Sequence, residues 1–338
     1  MKIKVNIYEV AKLSGVSIAT VSRVVNGSDK VSEKTRQKVL SIMDQYDYVP
    51  NVFARGLGLN SMKSVGILCP DISDAYVAQV VSFLEKNLRK NDYNCILGCS
   101  GHDLESKAFY TKLLLSKRID ALIMVGSTYA GRRHNPESVA YVREASEQVP
   151  VFMVNGYVKG DHIYCSFSND FKAVYEVTTG LIRRGKKKIL FLSDSHSYSA
   201  LRKLDGYEAA LQEAGYPILG DLKIYTKNQI HYARDILLAY KNLEFDAVVA
   251  TEDGLAIGAV KYAKIRGLRI PEDIQVIGYN NSQLAVSCEP ELTSIDNHVE
   301  KICSDTVDFM MQVLNGNKDV IRKNEVLCDV VRRCTTDF

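Results

Sequence analysis

The residues of this 338-residue chain best suited to nucleophilic or metal chemistry are six histidines and eight cysteines, and their spacing supports neither role. Histidines 102, 134, 162, 196, 231 and 298 form no His-x3-His or His-Glu-x-x-His pair that would set two imidazoles on one helix face, so no metal site is expected. The cysteines contain no Cys-x-x-Cys and lie mostly in apolar stretches, which reads as buried free thiols. Gly56-x-Gly58-x-x-Ser61 is one glycine short of a dinucleotide loop and follows a helical stretch instead of a strand. Neither a phosphate loop nor a Gly-x-Ser-x-Gly elbow is present. With no catalytic set to assemble, neither enzymatic activity nor a cofactor is expected. The basic run Arg183-Arg184-Gly-Lys-Lys-Lys188 falls between a helix end and a strand, where cations complement the helix C-terminus, and it reads as a surface turn.

Recognition chemistry is better supported. Residues 1–63 hold ten lysines and arginines against five acids, a net of +5 in a chain whose total is +3, so the remainder carries about −2. A basic head on a near-neutral body suits a polyanion partner for the head alone; an ordinary solvated basic surface would show the same balance. Asn6 and Glu9 have capping-box spacing, and Ile7, Val10, Ala11 and Leu13 then fall on roughly one helical face. Gly15 can take the positive φ of a corner, and Ser17 can cap a second helix containing Thr20, Val21, Val24 and Val25. Ala11, Gly15 and Val21 have the spacing of a helix-turn-helix: a small residue for close approach, a glycine for the corner, an apolar residue to lock the second helix. A third helix is expected from Ser32-Glu33 to about Tyr48, with Val39, Leu40 and Met43 closing the core and Pro50 stopping it.

The elements behind the head are of another kind. Hydrophobic residues at 46% and charged residues at 25% are globular values, and the length calls for more than one domain. The absence of a long apolar run and of a signal peptide leads to an expectation of a cytoplasmic protein with no membrane partner. Short β-branched runs near 64–70, 93–98, 120–125 and 149–154 alternate with helical stretches near 75–91, 104–117 and 136–147. The same rhythm returns with strands near 162–167, 187–193, 221–226, 245–250 and 274–279, and helices near 170–184, 198–215, 230–242 and 253–266. Two parallel sheets imply two lobes, and such lobes take small molecules outside the carboxyl ends of their strands.

The run Val10-Ala11 to Gly27, with Val31-Ser32, Thr35-Arg36, Val39 and Tyr48-Val49-Pro50-Asn51, closely resembles the lactose-repressor (LacI/GalR) family of bacterial transcription regulators. The resemblance continues through Val65–Asp71, Ile119-Asp120, Gly206-Tyr207, Asp253–Gly258, Ile270–Asp273 and Val276–Asn281, almost the whole chain. It implies an N-terminal three-helix helix-turn-helix DNA-binding domain plus hinge, followed by an α/β two-lobed periplasmic-binding-protein-like (type I) sensor domain. It also implies boundaries: a head at 1–50, a hinge at 51–63 and a sensor at 64–338. The sensor's first lobe would take about 64–160 and 292–320, and its second about 161–291 and 321–338. In that scheme strand 292–297 and the following helix return to the first lobe, and a last strand at about 325–334 finishes the second.

The same likeness puts Ile18, Ala19 and Arg23 at base edges of a double-stranded operator, Arg23 being suited to a bidentate contact with guanine. Ser17, Thr20, Ser22, Asn26, Lys30, Ser32 and Thr35 would hold phosphates, and Asn51 would cap a hinge segment from which Ala54 and Leu57 enter the minor groove. In the cleft it points to Asp74, Tyr76, Asn155, Ser168, Asn169, Lys203 and Asn280 as ligand contacts. The family commonly has acids where Asn155, Ser168 and Asn280 stand and an arginine where Lys203 stands, so fewer strong acceptors are left for sugar hydroxyls. Each asparagine is also a fit turn residue, Asn280-Asn281 above all. The expected protein is a homodimeric repressor reading an inverted repeat under control of a small-molecule effector, a sugar or related metabolite. The chain's end at Phe338 without a heptad tail favours dimers over tetramers. The rival classes are a solute-binding protein, for which the head has no use, and a sugar-processing enzyme, for which no catalytic set exists.

Overall fold

The computed structural model describes residues 5–25, 27–48, 61–131 and 136–337. They fall into two compact units, Met1–Ser64 with Arg118–Asp120 and Val65–Lys117 with Ala121–Phe338, each described by itself. In the first unit, α1 (Ile7–Ser14) opens with the expected capping box. Asn6 Oδ1 accepts from the Tyr8 and Glu9 amides at 2.9 and 3.1 Å, and Glu9 Oε2 accepts from the Asn6 amide at 2.8 Å. Gly15, at φ 62°, closes the helix in the left-handed conformation and turns the chain, the Val16 amide reaching the Ala11 carbonyl at 3.0 Å. Ser17 then caps α2 (Ile18–Val25) and Ser32 caps α3 (Glu33–Gln45). Val10, Ala11, Val21, Val24 and Val39 form the core these three helices share.

Two expectations for this unit need correction, and a third falls mostly outside the described residues. Leu13 and Leu40 are 45% and 41% exposed, because the buried stripe of α1 runs through Val10, Ala11 and Ser14, and that of α3 through Val39 with Ile42 and Met43. The third helix stops at Gln45, short of Tyr48: Asp47 takes φ 47°, and the Tyr48 amide returns to the Met43 carbonyl at 2.8 Å. The hinge expected at 51–63 lies outside the described residues as far as residue 60.

The second unit alternates strands and helices. Its strands are β1 (Ser64–Cys69), β2 (Asn94–Cys99), β3 (Ala121–Val125), β4 (Val151–Val154), β5 (Ile163–Ser168), β6 (Ile189–Ser193), β7 (Lys223–Tyr225), β8 (Ala247–Ala250), β9 (Gln275–Tyr279), β10 (Thr293–Asp296), β11 (Lys323–Val326) and β12 (Asp329–Val331). The helices used below are α4 (Ala75–Lys90), α5 (Leu104–Leu115), α6 (Ala140–Ser146), α7 (Asp170–Arg183), α8 (Tyr198–Glu213), α9 (Ile230–Ala239), α10 (Asp253–Arg266), α11 (Gln283–Ser287) and α12 (Val299–Leu314). One sheet has the order β11-β5-β4-β3-β1-β2 and the other β12-β10-β9-β8-β6-β7. In the second sheet every pairing is parallel except the antiparallel edge β12 on β10. Unbroken burial along β3, β4, β5, β6, β8 and β9 reflects sheets covered on both faces. On the first, α4 lays down Val77, Val80, Leu84 and Leu88 beside Ile302, Cys303, Val307 and Met310 of α12. On the second, α7 and α8 cover one face and α9 and α10 the other. Gly206 allows the α7–α8 approach, since a Cβ there would lie 2.2 Å from the Phe171 carbonyl oxygen.

Sheet membership corrects the expected lobe boundaries. β5 belongs to the first sheet, held by register with β4 and β11, so the first crossing follows Ser168 instead of residue 161. The strand expected to return near 292 is β10, which pairs with β9 in the second sheet; only α12 returns, so that crossing lies between Asp296 and Val299. The single last strand expected at about 325–334 is two: β11 edges the first sheet and β12 the second, with the third crossing at Leu327-Cys328. The cysteines are free, but Cys99 and Cys334 are exposed, against the expectation of burial. Among the described residues no helix is long and apolar enough to cross a membrane, and no cluster of His, Cys, Asp and Glu is placed to hold a metal ion.

Candidate nucleic-acid interface and ligand cleft

Helix α2 turns Val21 and Val24 into the core of the head, which by helical period sends Ile18, Ala19, Ser22 and Arg23 to the other side. Ile18, Ala19 and Arg23 are exposed there, Ile18 at 41% despite its apolar side chain, and Ser22 is half-buried. Ser17 and Thr20 sit at the start of this helix with their hydroxyl oxygens 2.9 Å apart, and Ser32 and Thr35 repeat the arrangement at the start of α3, also at 2.9 Å. Hydroxyls grouped with the free amides of a helix N-terminus are suited to phosphate oxygens. Lys30 is exposed on the loop between α2 and α3. Arg36 fastens that loop by donating from Nη2 to the Ser28 carbonyl at 2.8 Å. Asn26, Asn51, Ala54 and Leu57, the remaining expected contacts, lie outside the described residues.

The second unit has a cavity of about 480 Å³ whose wall joins Asp74 and Tyr76 to Asn228, Glu252, Asp253 and Asn280, with Ser73, His231 and Ser282 beside them. Asp74 follows β1, Asn228 follows β7, Glu252 follows β8 and Asn280 follows β9, so the cavity lies outside the carboxyl ends of strands from both sheets. Asp74 caps α4, Oδ1 accepting from the Val77 amide at 3.0 Å, and its Oδ2 accepts from Asn228 Nδ2 at 3.4 Å across the two lobes. A second link between the lobes joins Ser127 Oγ to Ser197 Oγ at 2.9 Å. Asn280, in left-handed backbone at φ 91°, donates from Nδ2 to Glu252 Oε2 and accepts from Asn297 Nδ2 at 2.9 Å. Lys203 is only 3% exposed. Its ammonium donates to the Thr251 carbonyl at 2.9 Å, rests 3.5 Å from the centre of the Tyr279 ring and stands 3.9 Å from Glu252 Oε1.

The electrostatics of this wall centre on Glu252. Its side chain retains 22% exposure, yet burial holds its pKa well above the usual carboxylate range; Lys203 opposes that rise, and Asp194, Asp74 and Asp253 reinforce it. Asp253 is also raised by burial, against three donors: the Ser282 amide and hydroxyl, both at 2.7 Å, and the Ser294 hydroxyl at 2.6 Å. Burial likewise raises the Tyr76 phenol, with the Asn297 side chain opposing the rise.

Of the expected ligand residues, Asp74, Tyr76 and Asn280 line the cavity and Lys203 stands behind Glu252. Asn155, Ser168 and Asn169 do not line it. Ser168 Oγ donates to Asp170 Oδ1 at 2.7 Å, and Asn169 caps α7 by accepting from the Lys172 amide at 3.0 Å. Asn155 is buried at φ 62°, its Oδ1 without a partner. The expectation that the cleft is short of carboxylates is also corrected: Glu252, bonded to Asn280, supplies the acid that residue 280 lacks. Glu252 and Asn228 escaped the sequence reading although both follow predicted strand ends, which was the available signal.

Comparison with known proteins places both units. A family model described as bacterial regulatory proteins, lacI family, matches residues 6–51. A second, described as periplasmic binding proteins and sugar binding domain of LacI family, matches residues 62–334. An HTH-type transcriptional regulator of Lachnoclostridium phytofermentans is 50% identical over 335 residues, covering 98% of this chain and 100% of that protein. Among solved structures, the lac repressor dimer bound to operator and the anti-inducer ONPF has a TM-score of 0.88 at 23% identity, with 99% of each chain covered. A complex of the transcriptional regulator CelR with cellobiose has a TM-score of 0.69 at 22% identity, covering 98% of this chain and 99% of that one.

Proposed function

The chain belongs to the LacI family of bacterial regulatory proteins and is a helix-turn-helix transcriptional regulator; from that premise we propose that it is a repressor, binding an inverted-repeat operator as a homodimer under control of a small-molecule effector. The observation that carries the reading is the outward face of α2, where Arg23 is exposed between Ile18, Ala19 and Ser22 on a helix anchored from behind by Val21 and Val24. Arg23 reads a base, and the hydroxyls of Ser17, Thr20, Ser22, Ser32 and Thr35 with Lys30 set register on phosphates. Asn26, Asn51, Ala54 and Leu57 extend the contact, the last two in the minor groove. Two copies related by a twofold axis meet the two halves of a symmetric site. The effector enters the cleft lined by Asp74, Tyr76 and Asn280, and the lobes respond by shifting the balance between DNA-competent and DNA-incompetent states. Lys203 acts from behind that wall, beside Glu252. In this reading the protein works in the cytoplasm at the nucleoid, uses no cofactor and catalyses nothing.

The test compares duplex binding by the full chain with that of a chain lacking residues 1–63, using sites selected from randomised DNA. Binding confined to the full chain is expected. Equal affinity of the two forms would overturn the assignment and leave a solute-binding protein.

A further inference from the structure

The cleft wall carries more negative charge than its own residues answer. Asp74 approaches from the first lobe and Glu252 from the second, while Asp194, at the end of β6, adds its charge to both. Among the described residues that line the cavity there is no lysine or arginine. The nearest ammonium, on Lys203, is withdrawn under the Tyr279 ring and tied to the Thr251 carbonyl at 2.9 Å. Asp253 is satisfied by the serine donors described above, but the side-chain donors to Asp74 and Glu252 are neutral amides, from Asn228 and Asn280. A second observation concerns neutral groups. Asn297, 1% exposed and bonded through its amide to Asn280, has its Oδ1 buried without a partner, next to the Tyr76 phenol that lines the cavity. Polar groups buried in this way are suited to the hydroxyls of a ligand.

We propose that the effector is a polyol of mono- or disaccharide size bearing a protonated amine, with Glu252 and Asp74 as the counter-charges of the amine. The inference rests on the reading of this cleft as the effector site and narrows what it admits. A cavity of about 480 Å³ holds such a molecule. A phosphorylated or carboxylated ligand would set its anion beside Asp74, Glu252 and Asp253, with the His231 imidazole the sole lining side chain able to carry a positive charge among the described residues, a like-charge arrangement that low local dielectric makes costly. Burial and the neighbouring acids disfavour the ionised form of Glu252, and a neutral sugar brings nothing that offsets this. An ammonium offsets that penalty by pairing with the ionised Glu252 carboxylate.

Calorimetric titration of the full chain with matched pairs tests this: glucosamine against glucose, galactosamine against galactose, with glucosamine 6-phosphate as the anionic probe. In at least one pair the amine is expected to bind about tenfold tighter than its parent sugar or better. Glu252→Gln should erase the preference, and Asp74→Asn, on the other lobe, should weaken it independently if the first variant fails to fold. A parent sugar that binds as tightly as its amine, a phosphate that binds tightest, or failure of every amine to bind overturns the proposal. Duplex binding by the unliganded chain is measured in the same series: its persistence under any of those outcomes leaves the regulator reading standing, and its absence would sink that reading separately.

Discussion

A guanidinium held outward on a rigid helix offers two parallel donors to one guanine edge, and Arg23 is so placed on α2. Arg23→Ala should cost about 1–3 kcal/mol of specific binding and relax discrimination at one base pair of each half-site, measured by titrating single-base variants of the selected operator. Loss that is uniform across those variants would instead mark a phosphate contact. At Glu252 the prediction concerns pH. Unfolded, its carboxyl loses its proton near ~4.3, whereas folded it holds the proton to a higher pH, so between those two values the native state binds more protons than the unfolded one. Stability from this group is therefore complete below the unfolded value and falls as pH rises through the folded one. Thermal melts of wild type and Glu252→Gln should nearly coincide in acid, with wild type falling behind as pH increases; a gap that closes with rising pH would contradict the shift. The outward placement of Arg23 was legible from sequence because the helical period of α2 sets it opposite the core residues Val21 and Val24. Glu252 was not: its meaning depends on residues 74, 194, 203 and 280, which no local pattern brings together.

Elements were legible to within a few residues wherever period and caps agreed. The Asn6–Glu9 box, Gly15 and the Ser17 and Ser32 caps each appear at the expected position, since each satisfies its own helix terminus. The assignment of strands to sheets was hidden. β5 and β10 are short buried runs of the same kind, and nothing in such a run says which sheet it will join; the pairings of β5 with β11 and β10 with β12 decide that through residues more than 30 positions away. The α7–α8 contact gives a test at this scale. Gly206 sits where added bulk meets the Phe171 carbonyl and the Tyr175 amide nitrogen, backbone atoms that cannot swing aside as a side chain would. Gly206→Ala should destabilise the second unit by about 1–3 kcal/mol despite the better helix propensity of alanine, a fall visible in the denaturant midpoint. A stabilised variant would show that the two helices separate at little cost.

At the scale of the molecule, the division of labour is written in charge. The first 63 residues hold a net of +5 and the rest about −2, and three acids of the rest, Asp74, Glu252 and Asp253, line the cleft. Such a division makes the two binding events answer differently to salt. A duplex releases condensed counterions in proportion to the phosphates neutralised, so affinity falls with the logarithm of salt at a slope of roughly 0.9 per phosphate contact. Two heads making ~6–10 such contacts in all should lose about 10³–10⁵ in affinity between roughly 50 and 200 mM salt. The loss should be nearly as steep for a duplex without the operator sequence, because phosphate contacts carry no sequence information. Lys30→Ala should reduce the slope by about one for each head while leaving base preference intact. Fluorescence anisotropy of a labelled duplex across a salt series reads all three quantities. A slope near zero would mean that the basic head is merely a solvated surface, and would remove the electrostatic support for DNA binding whatever the fold of its three helices.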